Sequence, residues 1–337
     1  MACSRLSALL VAIGVSLGAS AAFAQEPSSF YKNRTFSYII SAGAGGGYDL
    51  YGRLVAEFMQ RQLQGSTFVV KNMAGAGHLI GANALYASPP DGYTLGSFST
   101  GLIYNQISRN AAVRFDLTKM SWIGKAGADP RVVVISATSP IKTFDEFLQQ
   151  KELQNFATSG LGSASYVEMI LLSKTMKLPI KVLTGYQGSA DQLAMRRGEI
   201  VGTIGSRSSL QQFVNNGYGR FIAQIGGLDV DVPQMSAWAK DEAGANSIAL
   251  IQSQGDIARL TAGPPGIPAD RLSTLIDAYK KALNDPDLQA RAIKFGYPIV
   301  PAYGEDVAKT INKALQQNEE TIALLSTALK PPRDAGK

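Results

Sequence analysis

A strand that runs into a glycine-rich turn and then directly into an amphipathic helix occurs repeatedly along this chain, and that alternation limits its fold more than any other feature. Phe36 to Ser41 reads as a short strand, Ala42 to Gly47 as the turn, and Asp49 as the opening of a helix whose Leu50, Leu54 and Phe58 keep helical spacing. Thr67 to Val70, Gly75 to Gly77 and Ile80 to Ala87 repeat the unit, with Pro89-Pro90 stopping the helix and Asp91-Gly92 turning into the strand Tyr93 to Phe98. Arg131 to Ile135 is a buried-strand signal. A second series follows, with strands at Phe156 to Thr158, Ile180 to Leu183 and Ile200 to Ile204, and helices over Tyr166 to Met176 and Ser189 to Arg197. Past Phe221 to Ile225 the pattern turns helical, over Arg271 to Leu283, Pro286 to Lys294 and Gly304 to Leu329. The spacing predicts an α/β fold with mainly parallel sheets, and 337 residues suffice for two lobes.

The first 24 residues read as an export signal. Arg5 precedes an apolar run from Leu6 to Leu17, and Ala22-Phe23-Ala24 supplies a cleavage site after Ala24. The run is too short and too interrupted for a membrane anchor. The single Cys, Cys3, falls inside this segment, so the predicted mature chain carries none, in keeping with an oxidising compartment such as the periplasm.

One Cys and one His in the whole chain exclude zinc sites built on these residues, cysteine nucleophiles and disulfide frameworks. The net charge of +6 is mild, and Lys and Arg are scattered without interleaved aromatics, so nucleic-acid binding gains no support. The turn Gly43-Ala44-Gly45-Gly46-Gly47-Tyr48 fails the dinucleotide fingerprint, and no Gly-Lys-Ser/Thr phosphate loop or G-x-S-x-G elbow is present. No metal site and no cofactor is expected. Asp229 and Asp231 read as a solvated turn.

The glycine loops remain as the chemistry-bearing features. Ala44 to Gly47, ahead of a helix, frees backbone N–H groups at the positive end of a helix dipole, and Ser159 to Ser165 repeats the design with three hydroxyls. Each charge-assisted hydrogen bond contributes roughly 1.5–3 kcal/mol, and a micromolar complex needs about 8 kcal/mol net. Four or five bonds therefore suffice to hold a small anion without an arginine. The alternative reading of such turns is close helix packing against a sheet. Asp49 either stabilises its helix start or orients a water or ligand hydroxyl. His78 reads as a loop histidine. Arg131 and Arg207, each beside a strand, are candidates for forking an additional ligand carboxylate.

Asn72-Met73-Ala74-Gly75-Ala76-Gly77-His78-Leu79-Ile80-Gly81-Ala82, Ser88-Pro89-Pro90-Asp91-Gly92-Tyr93-Thr94-Leu95, Ala44 to Asp49 and Tyr186 to Ala190 together resemble the solute receptors of the tripartite tricarboxylate transporter system, the TctC or Bug family. The resemblance spans Phe36 to about Leu329. It implies a two-lobe Venus-flytrap fold of type II-like form with two hinge strands, near Val132 to Ile135 and Phe221 to Ile225. The expected division is a signal peptide over 1–24, a first lobe from 25–133 and 226–337, and an inserted second lobe over 134–225. It also implies a non-enzymatic receptor that captures a small organic acid, a di- or tricarboxylate or an aromatic carboxylate, and delivers it to the large and small membrane subunits of a permease, with a monomer as the default. Carried onto this sequence, the ligand-binding residues are Ala44, Gly45, Gly46, Gly47 and Asp49, then Ser99, Thr100 and Asn105, then Ser159, Gly160, Gly162, Ser163, Ser165 and Gly188. The chain departs from the family pattern at His78-Leu79, Gln187, Val201, Arg131 and Ser206-Arg207, which bears on ligand identity. The rival readings are a secreted α/β enzyme of hydrolase type acting on a small carboxylated substrate, and a receptor that signals rather than transports.

Overall fold

The computed structural model describes residues 30–227 and 229–329. The predicted signal peptide, with Cys3 and the Ala24 cleavage site, lies outside the described residues. The strands are β1 Thr35–Ile40, β2 Thr67–Asn72, β3 Thr94–Phe98, β4 Ser121–Lys125, β5 Arg131–Ser136, β6 Gln154–Thr158, β7 Ile180–Thr184, β8 Gly202–Ser206, β9 Gly219–Ile225, β10 Leu260–Gly263 and β11 Ala302–Tyr303. The helices are α1 Gly47–Gln62, α2 Leu79–Tyr86, α3 Gly101–Ile107, α4 Phe144–Leu148, α5 Ala164–Thr175, α6 Ala190–Arg197, α7 Arg207–Asn215, α8 Glu242–Gly255, α9 Ala269–Leu283, α10 Pro286–Phe295, α11 Gly304–Leu315 and α12 Glu319–Ala328.

Two sheets form, one for each lobe. The first runs β11-β4-β10-β3-β1-β2 and the second β7-β6-β8-β5-β9. β1 pairs in parallel with both β2 and β3, as strand–helix–strand units require. Both sheets are nevertheless mixed rather than mainly parallel. β10 returns from the other lobe and lies antiparallel to β3 and β4, and β5 enters the second sheet antiparallel to β8 and β9. β5 is buried along its whole length because its side chains alternate between two cores, Val133 and Ile135 entering one face and Val132 and Val134 the other, which accounts for its unbroken Val-Val-Val-Ile run.

The helix ends follow local chemistry. Side chains of Ser163, Asp241, Asp285 and Asn318 accept amide hydrogens at the starts of α5, α8, α10 and α12. Gly296 ends α10 in the left-handed conformation. The single C-terminal helix expected over Gly304 to Leu329 is instead two, because Gln316 turns extended and Asn318 caps a fresh start by accepting from the Thr321 amide. Helix α8 belongs with the second sheet although the expected boundary at 225 assigned it to the first lobe. Its Ile248 and Ile251 complete the core formed by Val133, Ile222 and Ile225.

The chain passes between the sheets at 126–130, just before β5, and at 256–259, between α8 and β10, rather than within the segments Val132 to Ile135 and Phe221 to Ile225 expected as hinges. These crossings pair with each other, the Ala126 amide donating to the Arg259 carbonyl at 3.0 Å and the Asp129 amide to the Gly255 carbonyl at 2.9 Å. An ion pair between Arg259 and Asp129 is buried there, with both side chains 1% exposed. Ser208, at the start of α7, donates to both carboxylate oxygens of Asp129, from its amide at 3.0 Å and its hydroxyl at 2.5 Å. The Arg259 guanidinium lies 4.2 Å from the Tyr48 ring centre and 4.6 Å from that of Tyr51, both on α1. One side chain thus joins the first lobe, the crossing and the second lobe. Removing one partner of such a pair strands a buried charge at a cost of about 3–5 kcal/mol. Asp129→Ala is expected to lower unfolding stability by about that amount in urea titrations, whereas Lys281→Ala, which breaks an exposed pair with Asp277, leaves the midpoint essentially unchanged.

Candidate functional site

A cleft enclosing about 110 Å³ lies between the two sheets. Its walls are built from the beginnings of helices. Gly46 and Gly47 come from the start of α1, Ser163 to Ser165 from α5, Gly188 and Asp191 from α6, and Ser206 and Ser209 from α7. Ser99, two residues before α3, completes this set. A helix start presents unpaired N–H groups and a partial positive charge, so several starts around one space favour an anion.

The loops that carry these residues meet across the cleft at backbone distance. A Cβ on Gly43 would stand 2.8 Å from the Gly188 nitrogen, and one on Gly188, where φ is +64°, would stand 2.2 Å from the Ala44 oxygen. On the opposite side a Cβ on Gly101 would stand 2.6 Å from the Ala164 nitrogen. Real Cβ atoms do not approach so closely. Glycine at these positions is therefore what allows the lobes to close to this extent.

Hydroxyls and amides fix the loops. Thr158 Oγ1 lies 2.8 Å from Ser163 Oγ and 2.8 Å from Ser165 Oγ, and Ser163 Oγ donates to the Gly160 carbonyl at 2.8 Å. Gln187 Nε2 donates to the Ser159 carbonyl at 2.6 Å. Fully buried Asn105 donates from Nδ2 to the carbonyls of Gly101 and Gly162, both at 2.7 Å, and so ties α3 to the second glycine loop.

Of the residues expected from sequence, Gly46, Gly47, Ser99, Arg131, Ser159, Ser163, Ser165 and Gly188 line the cleft together. Ala44, Gly45, Asp49, Thr100, Asn105, Gly160, Gly162 and Arg207 do not. Asp49 accepts from the Gly45 amide at 2.9 Å, Arg53 Nε at 2.9 Å and Asn72 Nδ2 at 2.8 Å, so its carboxylate braces the first loop from behind. Burial would push that carboxyl up, but the Gly45 amide, Asn72 and Arg53 outweigh it and hold it below its usual range. Arg131 directs Nε at 2.8 Å and Nη2 at 2.5 Å to Glu168, and Nη1 at 2.7 Å to Ser206 Oγ. Arg207 pairs with Asp229. Both arginines expected to meet an additional carboxylate are thus matched within the protein.

The cleft also holds Tyr48, Asp191, Gln192 and Ser209, which the sequence did not single out, together with Tyr186 and with Gln187, which the sequence marks only as a departure from the family pattern. His78, read as a loop residue, lines it as well, with Nδ1 2.7 Å from the Ser41 carbonyl. Burial holds its imidazole below the usual range, against the opposing pull of that hydrogen bond. Burial raises Asp191 from 3.8 to about 6, partly offset by the Gln192 amide and its own. Among the described residues no cluster of His, Cys, Asp and Glu could hold a metal ion.

A two-lobe molecule closed over a polar, helix-start-lined cleft is the arrangement of a solute-binding protein. The sequence profile of the tripartite tricarboxylate transporter family receptors (TctC) matches residues 52–326, and the chain belongs to that family. A UPF0065 protein of Cupriavidus necator, from the gbd 5' region, is 23% identical over 319 residues, covering 90% of this chain and 92% of its own. The periplasmic binding protein BugD superimposes with a TM-score of 0.74 at 21% identity, covering 88% of this chain and 98% of its own. MatC from Rhodopseudomonas palustris with bound malate superimposes with 0.70 at 20% identity, covering 88% and 99%. Members of the family are solute receptors, so the enzymatic alternative falls away.

Two predictions follow from this geometry. Gly43→Ala should obstruct closure while the separated lobes stay folded, lowering ligand affinity roughly tenfold, about 1.4 kcal/mol, in isothermal titration calorimetry with little change in ligand-free melting temperature. Asp191 ionises less readily folded than unfolded, so its contribution to stability is full below about pH 4 and is lost as pH rises through about 6. Asp191→Asn should therefore stabilise the ligand-free protein by about 3 kcal/mol at pH 8, with the gain disappearing below about pH 4 in pH-dependent urea denaturation.

Proposed function

We propose that this protein is a periplasmic receptor that captures a small organic acid between its lobes and delivers it to the large and small membrane subunits of a tripartite tricarboxylate permease. The observation that carries this reading is the cleft itself, where helix starts converge and no side-chain cation is left unmatched by a protein carboxylate. A carboxylate entering it takes hydrogen bonds from the Gly46–Gly47 and Ser163–Ser165 segments and from the Ser99, Ser159 and Ser206 hydroxyls. The lobes pivot at the paired crossings, and the ligand stabilises the closed state by touching both sides at once. MatC, of the same fold, is described with malate bound, which supports a carboxylate as ligand. Export with cleavage after Ala24 and action as a monomer complete the proposal. BugD is named a periplasmic binding protein, and no helix among the described residues is long and apolar enough to cross a membrane.

The test is a thermal-shift scan of the purified protein, freed of carried-over ligand, against mono-, di- and tricarboxylates, aromatic acids and amino acids. A saturable rise in melting temperature is expected for carboxylates, equivalent to about 2.7 kcal/mol at a hundred times Kd. Absence of a rise with every acid in the panel contradicts the proposal.

A further inference from the structure

The charges in the cleft are unevenly matched. Arg131 is buried against Glu168 and Ser206, so its positive charge is already compensated. Asp191 lines the same cleft, and among the described residues no Lys, Arg or His lies within ion-pair distance of it. The adjacent Gln192 amide donates to its Oδ1 at 2.8 Å, and its own amide also favours the ionised form. Among the described residues no side chain donates to Oδ2.

An acidic residue at a helix start is ordinarily there for the helix dipole, which stabilises its ionised form. Asp191 behaves in the opposite way: burial pushes its carboxyl up to about 6. Nor does it cap the helix, since Ser189 stands at the cap position of α6 and makes no side-chain capping bond either. A carboxylate held in a cleft against the preference of its own ionised state, without a protein cation, lacks a partner that a ligand can supply.

His78 points to the same chemistry. A carbonyl oxygen only accepts, so the contact with Ser41 places the proton on Nδ1. The neutral ring then keeps a lone pair on Nε2, to which no group among the described residues donates. The Asp191 carboxylate and the His78 Nε2 lone pair can only accept, so a plain di- or tricarboxylate, which brings no donor, answers the helix-start donors and leaves these two unanswered.

We propose that Asp191 is a specificity-determining residue that pairs with a protonated amine on the ligand, so that the receptor takes a small amino-carboxylate in preference to the same acid without the amine. This rests on the carboxylate-receptor reading above and narrows it. The donors at the starts of α1 and α5 hold the carboxylate end, and Asp191 at the start of α6 holds the ammonium end. The cleft of about 110 Å³ suits a compact molecule.

The experiment is isothermal titration calorimetry at pH 7.5 with matched pairs that differ only in the amine: butyrate against 4-aminobutyrate, and glutarate against glutamate. The wild-type receptor is expected to bind the amino member of at least one pair roughly tenfold or more tightly, a difference of about 1.4 kcal/mol. Asp191→Asn preserves the shape and removes the charge, and is expected to bring the two members of that pair within about threefold. Circular dichroism melting of the variant confirms its fold, and Asp191→Glu, which keeps the charge on a longer arm, should retain part of the preference. Equal or tighter binding of the amine-free acids by the wild type overturns the inference, as does an undiminished preference in Asp191→Asn. Binding of amine-free acids with rejection of amines leaves the receptor reading standing and this inference refuted. Binding of no acid of either kind defeats both.

Discussion

Everything in the ligand cleft depends on backbone meeting backbone across it. The first loop reaches Gly188 and the start of α3 reaches Ala164 so closely that no Cβ fits at Gly43, Gly188 or Gly101. Only when the loops come this near do the starts of α1, α5, α6 and α7 share one space. Each start is worth about 0.3–1 kcal/mol to an exposed anion and up to about 2 kcal/mol when partly buried, so the field becomes substantial only where several act together. The glycines thus do more than permit turns: they set the distance over which the dipoles combine.

The second organising feature is the way buried charge is kept within the protein. Asp129 and Arg259 lock the crossings, Glu168 neutralises Arg131 beneath the cleft, and Asp229 holds Arg207 at its edge. Asp129 and Ser208 couple the crossing to the start of α7, while Arg259 lies over Tyr48 and Tyr51 of α1. The two crossings and the placement of two cleft-lining helices are therefore linked through one buried cluster. With the arginines matched, recognition rests on geometry and on dipoles. On the proposed function, discrimination between ligands then falls to the few side chains that line the cleft.

Much of this was legible in the sequence because it is local. The turns Ala42 to Gly47 and Ser159 to Ser165 announce themselves as glycine or serine runs between a strand and a helix, and the unbroken apolar run in β5 signals a strand covered on both faces. What remained hidden depends on long-range contact. Arg131 reads as a free cation until the helix carrying Glu168 folds against it. Asp49 sits beside an anion loop in sequence, yet its carboxylate turns back to Gly45, Arg53 and Asn72. Asn105 is a loop-tying residue only because Gly162 arrives beside it. Asp191 carries no motif and gains its meaning from its half-buried place in the cleft, away from any protein cation among the described residues. Helix α8 escaped notice because small and polar residues, including Gly244 and Ser247, occupy positions on its buried side where apolar ones are expected.

The central claim is that an acid is gripped by helix-start amides and hydroxyls rather than by a side-chain cation. A crystal structure of the receptor with a bound carboxylate tests this most directly. The account predicts carboxylate oxygens at hydrogen-bond distance, about 2.7–3.2 Å, from amides or hydroxyls of the Gly46–Gly47 and Ser163–Ser165 segments, with Arg131 still bound to Glu168. A ligand carboxylate paired directly with Arg131 or Arg207, with Glu168 or Asp229 displaced, would contradict it.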